Sequence, residues 1–363
     1  MDAEYILEAK FKKWINTKLV QKKKLILIGI VLLAGCFLSL NKIENLAFYE
    51  DFFVPKGWPK PVYNFKENKL TKEGFELGRK LFYDPILSRD STISCSSCHL
   101  QYTGFAHTDH ALSHGIDGRI GTRNAPTLVN LAWTKVFNSD GGVLSLSAQP
   151  INPITNSQEM DNSLVNVLGK LNHSKKYKSL FNNVFGDSIV TSKKLLQAIA
   201  QFTVSLQSCN SKYDKVMRHE KDIFFTDQEE NGHQLFKRNC ESCHKEPLLT
   251  NNNFADNGLP IDQDYKDYGR LKITQNPKDS FNFRVPTLRN IEFTYPYMHD
   301  GRFMKLRDVI NFYTDGKIKR KTLAKELQQP IVLNENEKKD LIAFLKTLTD
   351  KEFLFNPKFS FPK

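Results

Sequence analysis

The sequence has few of the features that mark fibrous, disulfide-rich or β-sheet proteins. Six cysteines in 363 residues are too few for a disulfide scaffold. No segment shows the sustained alternation of apolar and polar residues that is typical of amphipathic β-strands. The net charge of +12 is not gathered into a recognisable DNA- or RNA-binding module, so we expect no nucleic-acid partner. With 40% apolar residues, the chain is expected to fold around substantial buried cores.

Long apolar runs are also scarce, and the one present covers residues 25–40, directly after three lysines at 22–24. A basic flank followed by a short apolar stretch is typical of an export signal. Its 16 residues fall short of the roughly 20 that a membrane-spanning helix needs. The tetrapeptide at 33–36 resembles a bacterial lipobox, and this resemblance implies acylation of Cys36. A single-pass anchor and a buried apolar segment are the alternatives.

The chain is internally duplicated. Residues 126–146 align without a gap on residues 286–306, with eight identities in 21 positions. A Gly-x-x-Leu-Phe pattern precedes both copies, at 78–82 and again at 232–236. The simplest interpretation is two copies of one structural unit.

The apolar pattern predicts an all-α fold. Apolar residues recur with helical spacing at 195–206 and at 341–348. Segment 250–283, rich in Asn, Asp and Gly, is expected to be a long surface loop with at most short strands. Two capping boxes predict helix starts, and they pair Thr226 with Glu229 and Asn334 with Glu337.

These observations predict five segments. They are a targeting or anchor segment at 1–45, a linker at 46–69, an N-terminal domain at 70–215, a C-terminal domain at 216–350 and a tail at 351–363.

Each predicted domain contains one Cys-x-x-Cys-His motif, Cys-Ser-Ser-Cys-His at 95–99 and Cys-Glu-Ser-Cys-His at 240–244. This spacing is the attachment signature of c-type haem, in which two thiols bind the vinyl groups and the histidine lies under the iron. A zinc site would need the two cysteine pairs close together, and a redox dithiol would not need the histidine. We therefore predict two covalently bound c-type haems. The attachment cysteines are Cys95, Cys98, Cys240 and Cys243, and the iron ligands are His99 and His244.

Over roughly residues 64–350 the sequence resembles the bacterial di-haem cytochrome c peroxidase family, which includes MauG-type enzymes. The stretches that carry the resemblance are SCSSCH, GTRNAPTLVN, PINPITNSQEM, CESCH, RVPTLRN and TYPYMHDGRF. It implies two all-α cytochrome c-like domains with a calcium ion between them. It also implies that the N-terminal haem binds hydrogen peroxide and that the C-terminal haem receives electrons.

The resemblance assigns roles to single residues. Gln149 and Glu159 match the distal glutamine and the catalytic glutamate of the N-terminal haem. A carboxylate suits this position, because cleavage of the O–O bond needs a group that moves a proton between the two oxygens. Asn124, Thr294 and Pro296 match a calcium site, which would use hard oxygen ligands.

The sixth ligands of the two irons are expected to differ. His114 lies where peroxidases of the family carry a histidine that ligates the N-terminal iron in the oxidised resting state; His107 and His110 are close alternatives in sequence. Tyr313 lies where the sixth ligand of the C-terminal haem is expected, and MauG has tyrosine there whereas most peroxidases have methionine.

The chain departs from many family members at one position. Ser139 stands where they carry a tryptophan between the haems, and Trp133 lies six residues earlier.

The sequence predicts an exported, membrane-anchored di-haem peroxidase on the periplasmic side of the cytoplasmic membrane or in the cell envelope. It would reduce hydrogen peroxide with electrons from a small redox protein, a cytochrome c or a cupredoxin. Homodimer and monomer are both open for its assembly. One alternative is a MauG-like enzyme that oxidises a protein or small organic substrate. The other is a non-catalytic di-haem electron-transfer cytochrome.

Overall fold

A computed structural model describes residues 52–362 of the chain. The chain divides into two units, Met1–Phe53 and Val54–Lys363. Both predicted haem domains lie in the second unit. The predicted targeting segment with Cys36 lies outside the described residues. Within residues 52–362, no helix combines the length and the apolar character needed to span a membrane.

The described part is mainly helical, as predicted. The helices of the first half are α1 (Lys72–Tyr83), α2 (Ile151–Thr155), α3 (Leu164–His173), α4 (Lys175–Phe185) and α5 (Ser192–Val204). Those that follow are α6 (Lys212–Met217), α7 (Asp227–Asn239), α8 (Leu271–Thr274), α9 (Leu306–Asn311), α10 (Glu335–Lys346) and α11 (Lys351–Leu354). A π-helical turn, Phe312–Gly316, continues α9. Two-residue strands β1 (Phe254–Ala255) and β2 (Phe283–Arg284) pair antiparallel, which confirms the expectation of short strands.

Both predicted capping boxes are present. At the start of α7, the Thr226 hydroxyl accepts from the Glu229 backbone N–H at 3.2 Å, and the Glu229 carboxylate accepts from the Thr226 N–H at 2.8 Å. Asn334 and Glu337 make the same reciprocal pair at the start of α10. These bonds satisfy backbone donors that have no partner within the helix.

Each half is built on one crossing pair of helices, α1 on α5 and α7 on α10. The repeated glycine explains the close approach of each pair. A methyl group on Gly78 would collide with the backbone carbonyl of Ala198, and one on Gly232 would collide with that of Asp340. The Gly-x-x-Leu-Phe pattern therefore encodes the same helix crossing twice.

The aligned segments also have the same backbone structure. Asn130 and Asn290 are equivalent in the alignment, and both are left-handed, with φ of 59° and 60°. Their N–H groups donate to the carbonyls of Leu206 and Leu348, which follow the second helix of each pair. Equivalent bridges close the turn after each asparagine, Phe137 to Val143 and Tyr297 to Phe303. The predicted duplication is thus present in the fold.

Chain segments on both sides of the haem domains pack against them. The Trp133 indole N–H donates to the Pro59 carbonyl at 2.7 Å, so the described part of the predicted linker lies on the body. Near the C-terminus, the Lys358 carbonyl accepts from Arg79, and the Phe359 carbonyl accepts from the Tyr83 hydroxyl at 2.7 Å. The C-terminal segment therefore returns to α1.

Polar contacts join the two halves. The Arg123 guanidinium donates to Asp267 at 2.6 and 2.9 Å and to Asp140 at 2.6 Å. The Asn124 N–H donates to the His299 carbonyl at 2.8 Å. These contacts between the halves lie beside the cavity that the second haem motif lines.

Candidate haem sites

Each Cys-x-x-Cys-His motif forms a single turn. The His99 N–H donates to the Cys95 carbonyl at 3.0 Å, and the His244 N–H donates to the Cys240 carbonyl at 2.9 Å. All four motif cysteines are free thiols. Each turn therefore presents two available thiols and one imidazole together, as thioether attachment of a haem requires.

The two motif histidines have the ring orientation and the protonation state that an iron ligand needs. The Nδ1 of His99 donates to the Phe105 carbonyl at 2.7 Å, and that of His244 donates to the Pro286 carbonyl at 3.1 Å. Burial lowers the pKa of each imidazole to about 4. Both rings are therefore neutral at physiological pH, with the Nε2 lone pair available for a metal.

A cavity of about 310 Å³ lies beside the second motif, with Cys240, Cys243 and His244 on its wall. Trp133 and Ser139 from the first half also reach this cavity. The site of the C-terminal haem is therefore completed by both halves of the chain.

Both tyrosine and methionine side chains line this cavity. Tyr313, on the π-helical turn, and Met298, on the turn before α9, are part of its wall. Burial raises the pKa of the Tyr313 phenol to about 12. Met304 is absent from the wall and is 50% exposed, so it is not placed to ligate this iron.

The surroundings of Arg284 indicate whether this cavity fits a haem. Its side chain lines the cavity, and its Nε is buried without a hydrogen-bond partner. Burial lowers the pKa of the guanidinium to about 10, and no carboxylate within residues 52–362 forms an ion pair with it. An unpaired buried cation is costly. A haem propionate carboxylate would supply the missing partner, so the residues fit the group.

The first motif is close to Glu159. The Cys98 thiol donates to the His114 carbonyl at 3.5 Å, and two residues later the Ile116 N–H donates to the Glu159 carbonyl at 2.8 Å. Burial raises the pKa of the Cys98 thiol to about 11, and the charge of Glu159 adds to that rise. Burial also raises the pKa of Glu159 itself, whose carboxylate accepts from the Asn156 amide at 2.8 Å. The predicted catalytic carboxylate is thus a partly buried group beside the N-terminal attachment site.

Gln149 lies on the turn before α2, and Glu159 lies on the loop after this helix. The Gln149 N–H donates to the Ser145 carbonyl at 3.1 Å, which fixes the turn. The two predicted catalytic side chains, ten positions apart, therefore belong to one turn–helix–loop unit.

The three clustered histidines differ in their surroundings. The ring of His114 stacks on that of the exposed His110, with centroids 4.3 Å apart. His107 is only 7% exposed, and neither of its ring nitrogens has a hydrogen-bond partner among residues 52–362. Burial lowers the pKa of His99, and the charge of His107 lowers it further. His107, which the sequence offered only as an alternative, is therefore the buried histidine of the three.

The three residues predicted to bind calcium share one cavity. Asn124, Thr294 and Pro296 all lie on the wall of the C-terminal cavity. The Asn124 amide donates to the Ala111 carbonyl at 3.0 Å. No group of three or more His, Cys, Asp or Glu side chains in the described part of the chain could hold a metal ion.

Two cavity residues were missed by the sequence analysis. Arg284 begins the RVPTLRN stretch, directly before the repeated segment, and this position in the sequence could have marked it as a candidate. Asn257 lies in the segment predicted as a surface loop, and no pattern marked it.

Two cytochrome c-like domains, each with a haem attachment turn, define a di-haem c-type oxidoreductase. Residues 72–222 match the family model described as di-haem cytochrome c peroxidase, and residues 229–349 match that of cytochrome c. The chain is 32% identical to the methylamine utilization protein MauG of Methylophilus methylotrophus, over 84% of this chain and 89% of that protein. It is 35% identical to the cytochrome c551 peroxidase of Nitrosomonas europaea, over 79% and 82%.

A solved structure gives the same result. It is described as a MauG-like protein associated with microbial copper homeostasis, is 32% identical, and superposes with a TM-score of 0.79 over 86% of this chain and 99% of that one. The chain belongs to the di-haem cytochrome c peroxidase family, which includes MauG. It is an enzyme that carries two c-type haems.

Proposed function

We propose that this enzyme reduces hydrogen peroxide to water at the N-terminal haem site. A small redox protein, a cytochrome c or a cupredoxin, would deliver the electrons at the C-terminal site. The observation that carries the proposal is the position of Glu159, a partly buried carboxyl group with a raised pKa beside the first attachment motif.

Haem supplies the iron that binds peroxide and holds the electrons. The protein must move a proton from the inner to the outer oxygen of peroxide, and Glu159 is a group able to accept and then donate it. Its raised pKa lies nearer to neutral pH than that of an ordinary carboxyl group, which favours both transfers. The Asn156 amide holds one carboxylate oxygen and so orients the group.

The substitution Glu159→Gln tests this role. The amide keeps the shape but cannot accept the proton, so peroxide turnover should fall by roughly 100-fold or more while both haems are retained. Glu73→Gln, on the exposed face of α1, is the matched control and should leave turnover unchanged. Equal rates in the two variants would remove Glu159 from the mechanism.

A second candidate is oxidation of a protein or small organic substrate, as in a MauG-like enzyme. Tyr313 on the cavity wall favours it, because an anionic oxygen ligand stabilises ferric iron. Peroxide consumption measured with and without a reduced cytochrome separates the candidates. Consumption that depends on the cytochrome supports the peroxidase, consumption without it supports the second candidate, and none at all indicates an electron-transfer cytochrome.

The predicted surroundings of the enzyme are also proposals. Calcium would bind between the domains through the side-chain oxygen of Asn124 and the backbone carbonyls of Thr294 and Pro296, which lie on one cavity wall. Export to the periplasmic side with a lipid on Cys36, or with a single-pass anchor, would bring the enzyme to its donor. Assembly as a homodimer is the third of these proposals. Calcium chelation followed by spectroscopy tests the first point. Cell fractionation tests the second, and sedimentation tests the third.

A further inference from the structure

One side-chain amide contacts both candidate ligands of the C-terminal iron. The Nδ2 of Asn257 lies 3.4 Å from the Tyr313 hydroxyl oxygen and 3.5 Å from the Met298 sulfur. All three side chains line the same cavity as His244. Because an amide nitrogen carries two hydrogens, Asn257 can donate to both atoms at once.

The amide is held in this orientation by the turn that carries it. Its Oδ1 accepts from the Leu259 N–H at 3.1 Å, so the Nδ2 faces the cavity. The neighbouring Asp256 is fully buried, and its carboxylate accepts from the Arg320 guanidinium through two bonds of 2.6 Å. Asn257 is therefore a donor fixed before any ligand binds.

The two acceptors respond differently to such a donor. A hydrogen bond stabilises a phenolate more than a neutral thioether, because the phenolate oxygen is charged. The phenolate also keeps further lone pairs for a metal, whereas a bonded thioether sulfur has one of its two lone pairs occupied. A donor shared between them consequently favours the oxygen as the ligand.

Without this hydrogen bond, Met298 would compete with Tyr313 as the ligand of the C-terminal iron. It lies on the wall of the same cavity, and its sulfur is the kind of ligand that most peroxidases of this family are expected to use. Tyr313 follows α9 on a π-helical turn, a rare geometry that is often found at functional sites. The choice between them therefore depends on a residue that contacts both.

We infer that Asn257 is a positioning residue that selects Tyr313 over Met298 as the sixth ligand of the C-terminal haem. The inference deepens the proposed function and rests on it, because the sixth ligand decides how that haem takes part in catalysis. It needs no contact between Asn257 and the iron.

The variant Asn257→Asp removes the donor, keeps the size of the side chain and adds a negative charge. The ionised carboxylate still accepts from the Leu259 N–H, but it cannot donate, and its charge disfavours a neighbouring phenolate. Asn276→Asp is the matched control. Asn276 accepts from the N–H two residues ahead, that of Lys278, at 3.1 Å in the same way, but it is exposed and absent from the cavity wall.

The test uses ferric holoprotein with both haems attached. The wild type and Asn276→Asp should lack the near-infrared band of methionine–iron bonding. Asn257→Asp should gain that band and show a higher reduction potential of the C-terminal haem, because a thioether stabilises ferric iron less than a phenolate does. The band should disappear again in the double variant Asn257→Asp, Met298→Leu.

Other results would overturn the inference. They are methionine ligation in the wild type, retention of the wild-type spectrum and potential in Asn257→Asp, or loss of phenolate ligation without a band that depends on Met298. If Asn257→Asp does not accumulate, Asn257→Ala removes the same donor without adding charge and is judged by the same criteria. Peroxide turnover of the wild type is measured separately, so a failure of the proposed function is seen independently of ligand selection.

Discussion

A buried ion pair connects α6 to the repeated segment that follows β2. Two Arg289 nitrogens donate to the two Asp214 oxygens, each at 2.8 Å, and the exposed fractions of the two side chains are 0% and 3%. Arg289 also donates to the Pro247 carbonyl at 2.6 Å, and Asp214 accepts from the Ser211 N–H at 2.9 Å. Replacing Asp214 with Asn keeps the shape of the side chain and leaves the buried guanidinium without a counter-charge.

The size of the effect follows from this burial. Removing one partner of a buried pair costs about 3–5 kcal/mol of unfolding free energy. At about 2 °C per kcal/mol for a domain of this size, the Tm of Asp214→Asn should fall by about 6–10 °C. Thermal unfolding of the holoprotein, followed by circular dichroism and by haem absorbance, measures the change.

Two further variants decide whether the charge is responsible. Glu220→Gln breaks the partly exposed pair with Arg218 and should cost about 0–1 kcal/mol. The double variant Asp214→Leu, Arg289→Met leaves no charge unpaired and should be more stable than Asp214→Asn. If Asp214→Asn lowers the Tm no more than Glu220→Gln does, the argument from burial is refuted.

The same pair predicts how stability depends on pH. Burial alone would raise the pKa of Asp214, but the Arg289 guanidinium and the Ser211 hydrogen bonds hold it below the ordinary value of 3.8. A carboxyl group with a lowered folded-state pKa stabilises the fold fully above its unfolded pKa, and this contribution is lost as the pH falls through the folded value. The Tm difference between the wild type and Asp214→Asn should therefore shrink only in acid, below about pH 4.

Three other outcomes are expected. Denatured protein should retain two covalently bound haems, and Cys98→Ala and Cys243→Ala should each impair the attachment of one; a single or extractable haem in the wild type would contradict the two-site assignment. The acid limb of peroxide turnover should lie above pH 4.5, since burial raises the pKa of Glu159, and an acid limb unchanged in Glu159→Gln would exclude that carboxyl as its source. Gly232→Ala should destabilise the protein by about 1–3 kcal/mol, because the added methyl group would collide with the Asp340 carbonyl. Gly169→Ala, with open space around it in α3, should instead stabilise the protein by about 0.5–1 kcal/mol. The opposite order in thermal unfolding would refute the packing argument.

Local patterns predicted the parts of the fold that depend on neighbours in sequence. The capping boxes at Thr226 and Asn334 form as predicted, because the bonding groups are three residues apart. The repeated glycines were noticed as a pattern, but their reason, two helix crossings, needed partners more than a hundred residues away. The attachment motifs were predictable in full, since their chemistry lies within five residues.

Residues that act across the cavity were harder to predict. Arg284 matters because no carboxylate of the described part of the chain forms an ion pair with its guanidinium, and the sequence cannot show a missing long-range partner. Asn257 matters because Met298 and Tyr313, more than forty residues further on, fold back to within 3.5 Å of its nitrogen. His107 could not be distinguished from His110 and His114 because burial, rather than spacing, separates them.

The two halves differ most where their sequences do not align. Between the end of the repeated segment and the second helix of the crossing pair, the first half inserts α2, α3 and α4, whereas the second half inserts α9 and the π-helical turn. Glu159 lies in the first insertion, and Tyr313 lies in the second. The duplicated scaffold therefore supplies equivalent attachment turns and crossings. The unrelated insertions supply the predicted catalytic carboxylate of the N-terminal haem and the predicted sixth ligand of the C-terminal haem. The proposed difference in function between the two halves therefore depends largely on segments outside the repeated core, as expected when one fold carries different sites.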